Sequence, residues 1–195
     1  MLIEITIEGI TPLLQHRFNE EAEVKVSNGT GSSIPRAKTP RDEAEKVCYR
    51  MPDGRLYQPS THVLQSFRTA GKFHKIGRKQ ADRLAMAALA ILETELVHDT
   101  KEFEVDSRPC VIPATRGRIM RHRPRLDKWS LSFTADLDTD IFNEELAYAI
   151  LADAGRKVGI GDFRPDKGGP FGRFKIVKWQ PEIADADLPP GIREN

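Results

Sequence analysis
A chain of 195 residues is long enough for one domain with a sizeable insertion and a real core. Apolar residues make up 39% and charged residues 30%, so much of the chain is expected at the surface or in extended loops. With 30 Lys and Arg against 29 Asp and Glu, any basic surface must be balanced by an acidic one elsewhere. The alternation straight after Met1 is not that of a signal peptide, and no apolar run approaches the ~20 residues of a membrane span. Cys48 and Cys110 have no metal or partner spacing and read as reduced thiols, which points to a cytoplasmic protein with no membrane partner. His16, His62, His74, His98 and His122 are scattered, so no metal or other cofactor is expected.

The chain opens on a half-buried strand over residues 2–9, with Ile3, Ile5 and Ile7 on one face and Glu4, Thr6 and Glu8 on the other. A short helix is expected over 19–26. A polar loop follows over 28–40 (NGTGSSIPRAKTP), with a helical turn at 42–47. Met51-Pro52-Asp53-Gly54 signals a turn, read as a hairpin between 47–50 and 55–58. Residues 59–71 form a helix capped by Ser60, striped by Val63, Leu64 and Phe67, and ended by Gly71. Residues 72–83 are strongly basic. The apolar 84–97 reads as a helix fading into a strand.

Residues 102–113 read as a strand and 116–125 (RGRIMRHRPR) as an Arg-rich finger. A cleanly alternating strand follows at 129–137. Asn143 caps a helix over 143–154, ended by Gly155. Residues 155–174 hold six glycines interleaved with Arg156, Lys157, Arg164, Lys167 and Arg173 and with Phe163, Phe171 and Phe174. Such a loop can offer amides and cations to an anion and rings to bases; it is equally a long turn between helix and strand. The spacing is not a dinucleotide fingerprint, because the loop leads into a strand, 171–179, and opens no helix. Residues 1–180 are thus expected to be one domain with insertions about 15–55 and 107–128. Residues 181–195 form an acidic, Pro-rich tail.

The order β-α-β-β-α-β is that of an α+β, ferredoxin-like antiparallel sheet. Three basic stretches punctuate it: 68–83, 107–128 and 156–175. Acids gather in 93–106, 136–145 and the tail. Any one run reads as a solvated face, but three together favour a surface that follows phosphates. Arg outnumbers Lys by six to one in 107–128, and a guanidinium can both fork onto phosphate and stack on a base.

Four stretches, in order, resemble the RAMP superfamily of CRISPR-associated proteins, and within it the Cas7-like backbone subunits. ITIEGITPLL is similar to that family's first strand and its "TPL" ending. RLYQPSTHVLQSFRTAG resembles its "YIPGSSLKGALRSA" helix, with Ser60 and Arg68 on the matching Ser and Arg. VDSRPCVIPATRGRIMRHRPRLDKWSLSF is similar to the strand-finger-strand pattern, and VGIGDFRPDKGGPFGRFKI to the glycine-rich loop. The sequence departs from the family in lacking Gly after Pro59 and in its shortness, so a stand-alone relative from a mobile element is as consistent as a CRISPR subunit. The resemblance implies a modified RNA-recognition fold that binds single-stranded RNA and assembles side by side into a filament, with or without other CRISPR-type subunits.

On this reading Arg108, Arg116, Arg118, Arg121, Arg123 and Arg125 contact phosphates from the finger. Gly161, Arg164, Lys167, Gly169 and Arg173 hold the strand beneath, and Arg68, Lys72, His74, Lys75 and Arg78 extend the track. Phe163 or Phe171 either stacks on a base or belongs to the core. RNA and DNA are not distinguishable here. A RAMP-type endoribonuclease is the first alternative: Asp42, Glu43 and Glu45 lie in the region where some relatives carry a catalytic acid, and His16, His62 and His74 are available as a base. No partner pair is recognisable, so no catalytic residue is assigned. A nucleotide-sequestering protein of a mobile element is the second alternative. A subunit whose finger grips an acidic patch on its neighbour is the third.

Overall fold
The computed structural model describes residues 1–17, 39–111 and 117–181. The expected helix at 19–26, most of the polar loop 28–40 and the tail from 182 onward lie outside these residues, as does Arg116. A four-stranded sheet is built from β1 (Leu2–Gly9), β6 (Leu89–Ile91), β10 (Ser130–Leu137) and β11 (Phe174–Pro181). Its order is β11-β1-β10-β6, and every neighbouring pair is antiparallel. Ile3, Ile5 and Ile7 are fully buried, as the alternation requires, and each contributes about 1.5–3 kcal/mol by leaving water. The opposite face is a solvated polar network: Glu4 pairs with Lys178, Glu8 with Lys175, and Thr6 bonds Ser132.

Two helices close the core. α2 (Ser60–Ala70) presents Val63, Phe67 and Ala70, and α4 (Glu144–Asp153) presents Ala147, Ile150 and Leu151. The Phe67 and Phe142 rings meet 6.2 Å apart between them. Asn143 caps α4 as expected, its side-chain oxygen accepting from the Leu146 N–H at 2.9 Å. Ser60 does not cap α2. The cap position is Pro59, while Ser60 is buried as the first helical residue and its N–H donates to the Thr94 carbonyl. Neither expected stop works as a left-handed cap. Gly71 is right-handed and continues into a 3-10 turn, Gly71–Phe73; its lack of a Cβ instead makes room for the Asp82 backbone. Gly155 sits inside a π turn, Ala154–Val158, against the Phe174 carbonyl, and the chain leaves it only at Gly159.

A second sheet carries the basic finger. β8 (Glu104–Val111) and β9 (Arg118–Leu126) form an antiparallel hairpin, and β2 (Leu13–Leu14) adds to β9. The strand expected at 102–113 therefore exists but does not join the main sheet; the short Leu89–Ile91 takes that place, after one helical turn, α3 (Ala85–Ala88). The hairpin expected around residue 52 is reduced to a turn and one bridge, Arg50 to Leu56. Its second arm becomes β3 (Tyr57–Pro59), which pairs instead with β7 (Glu95–Val97). Helix α1 (Pro40–Lys46) packs on the finger. A small hairpin of β4 (Lys75–Ile76) and β5 (Lys79–Gln80) lies in the basic 72–83 segment.

Candidate nucleic-acid interface
The glycine-rich loop packs against the base of the finger through side chains. Arg123, buried on β9, reaches Asp162 with its Nε 2.8 Å from the carboxylate, and donates from its terminal nitrogen to Cys110 Sγ at 3.1 Å. Asp162 also lies 3.4 Å from His16 Nδ1 and accepts from the Phe163 N–H at 2.9 Å. Burial alone would raise the Asp162 carboxyl, but His16, Arg123 and that N–H outweigh it and hold the group below the usual carboxylate range. Beside this cluster Arg108 is bonded to Asp106 and stacks 4.6 Å over the Phe171 ring. Phe171 is buried and tilted against Phe163, 6.1 Å away.

These contacts bear on several expectations. Phe171 is core to the loop and has no free face for a base. Arg123 is buried, with Asp162 matching its charge. Arg125 pairs with Asp127, Arg164 with Asp166 and the Gly161 carbonyl, and Lys167 with Asp166. The loop amides do not form an open anion nest. The N–H groups of Ile160, Asp162, Gly169 and Gly172 donate to the carbonyls of Gly172, Leu14, Arg164 and Pro12. Gly161, at φ 75°, lies against the Leu14 carbonyl, and a Cβ on Gly169 would collide with the Phe163 carbonyl. These glycines serve close backbone packing more than ligand approach. Phe163 has φ 46°, a conformation rare for a bulky residue, held by its bonds within the loop.

The acids considered as catalysts have structural partners. Asp42 completes a capping box with Thr39, Glu43 accepts from the His122 N–H, and Glu45 pairs with Arg50. Of the histidines, His62 is bonded to Gln58 and pushed down to about 4, first by burial and then by the Arg164 charge. His74 is tied to Asp153 at 3.0 Å. His16 alone of the three joins the glycine loop.

The remaining predicted contacts, with Lys79 and Arg83 beside them, differ in kind. Arg68, Lys72, Lys75, Arg78, Lys79 and Arg83 around the small hairpin, Arg118 and Arg121 on the finger, and Arg173 at the loop exit form no ion pair among the described residues. All are exposed except Arg121, which is half-buried. Sequence reasoning missed Asp162, the centre of the loop cluster, because an acid among five cations looks like solvated charge. It also missed Phe73, a 56% exposed aromatic inside the basic segment, which adjacency to Lys72 and His74 could have flagged.

No family model matches this sequence, and no curated protein does. One solved structure with a similar backbone path is a chain of the cryo-EM structure of the type III-B Cmr-beta bound to cognate target RNA. The likeness has a TM-score of 0.48 at 11% identity and covers 92% of this chain. This chain spans 60% of the length of that one.

Proposed function
We propose that the protein binds single-stranded nucleic acid, RNA before DNA, along the exposed cations that form no ion pair among the described residues. One observation supports the reading: the division between Arg residues that carry an internal acid and the exposed Lys and Arg groups that carry none. A strand of phosphates neutralises the second set and releases counterions. Within the internally paired set, Arg123 and Arg108 then serve to fix the finger to the loop, while Arg125 and Arg164 pair with acids close by in sequence. The strand order β11-β1-β10-β6, with a helix after the first and third sheet strands, accords with a ferredoxin-like domain of RAMP type. On that reading copies assemble side by side along the ligand, with or without other CRISPR-type subunits.

The test is a titration of labelled single-stranded RNA and DNA of increasing length at two salt concentrations, with the mass of the complex read in parallel. Affinity should rise with length and fall steeply with salt, and mass should grow stepwise. A monomer that ignores both strands overturns the reading.

A second reading, cleavage of bound RNA, is favoured by the His16–Asp162 contact alone. The carboxylate orients the imidazole, whose Nε2 would take the 2′-OH proton. The 2′ oxygen then attacks phosphorus and the bond to the 5′ oxygen breaks, that oxygen taking a proton from water. Products ending in a 2′,3′-cyclic phosphate, lost in H16A while binding persists, would establish it.

A further inference from the structure
The 3-10 turn Gly71–Phe73 holds an aromatic ring in the open where a soluble domain ordinarily buries one. Phe73 is 56% exposed, and it is not a loose side chain on a loose loop. The turn is fixed at Gly71 by the close passage of the Asp82 backbone. His74 accepts from the Ala81 N–H through its carbonyl at 3.0 Å, and its ring meets Asp153 at 3.0 Å. The same carboxylate oxygen accepts from Lys157 Nζ at 2.7 Å, and that ammonium lies 4.7 Å from the Phe73 ring centre. The ring is therefore positioned from both sides in sequence and topped by a cation. Lys72, Lys75, Arg78, Lys79 and Arg83 surround it in sequence, without an acid of their own among the described residues.

We infer that Phe73 is the base-stacking platform of this protein, with Lys72 on the phosphates that flank the stacked nucleotide and Lys157, held by Asp153, against the ring. The inference rests on the nucleic-acid reading above and moves the aromatic contact from the glycine loop, where Phe171 is buried, to the turn after α2. The physics is the usual division on single-stranded ligands: cations follow the backbone, and a ring face takes any base. A ring held in place loses little entropy on stacking.

The experiment compares wild type with F73A, F73L and F73W on the same single-stranded RNA. F73A and F73L should bind about 5- to 150-fold more weakly, the range carried by one lost base stack. F73W should retain affinity, and its added fluorescence should be quenched on binding, beyond any change in wild type. The slope of log affinity against log salt should stay at the wild-type value, because no cation is lost. Since the side chain is exposed, thermal midpoints should not move. Wild-type binding with F73A unchanged overturns the inference alone. Binding lost in F73A but kept in F73L also overturns it, because bulk without a π face then suffices. A wild type that binds neither strand overturns the function with it. Fluorescence of F73W that responds to anionic lipid vesicles and not to RNA would make the surface a membrane contact and end the proposal.

Discussion
The contact with most at stake for a single residue is Arg123 on Asp162. A guanidinium that deep needs its counter-charge, and removing one partner of a fully buried pair costs about 3–5 kcal/mol. Asp162 meets solvent over a third of its side chain, so D162N should cost less, about 2 kcal/mol by urea unfolding at pH 7. Because the folded carboxyl lies below its ordinary value of about 3.9, the unfolded chain takes the proton first. The difference between D162N and wild type should be complete above that value and close as the pH falls through the folded one. His98 loses its contribution in the same direction, at higher pH. It is 1% exposed beside Trp129, and burial pushes its imidazole down to about 4, against a small opposing pull from the Ser130 backbone. The unfolded chain binds the extra proton between about 6.5 and 4, so this contribution is full above that window and lost through it. At pH 5 the loss should be about 2 kcal/mol, and it should be absent from H98N. The thiols separate on the same logic. Burial pushes Cys48 up to about 12, so iodoacetamide should label Cys110 in the native protein and Cys48 only after unfolding.

Among the elements, the helices and long strands were legible because their patterns are self-contained. Ile3, Ile5 and Ile7 state a strand, and Asn143 before an apolar stripe states a capped helix. N143A should accordingly cost about 1 kcal/mol. What could not be read were choices between partners. Residues 102–113 alternate, but nothing in them says whether they pair with β10 or with β9; long-range packing of α1 on the finger goes with the second. The glycine loop misled in a physical way. Its glycines look alike in sequence whether they admit a ligand or another stretch of backbone, and here they admit the carbonyls of Leu14 and Phe163. G169A should therefore destabilise the fold, read as a lower thermal midpoint, before it changes any binding.

Across the whole molecule, a net charge of +1 hides a partition of roles. Substituting an internally unpaired cation should leave stability alone and lower the salt slope of binding by about one; K79Q and R118Q are the cases to measure. R123Q should lower the thermal midpoint, since it empties the tie between loop and finger.

The two borders of the main sheet have one more consequence. On one side β6 is three residues long. On the other, β11 is the outermost strand among the described residues and carries Lys175, Lys178 and Pro181. A short border and a lysine-bearing border both resist continuation by another chain's backbone. Neighbouring copies thus meet borders of the main sheet that disfavour extension of its ladder. An array joined through side chains is then favoured over one joined through these two borders, and such an array should come apart with salt.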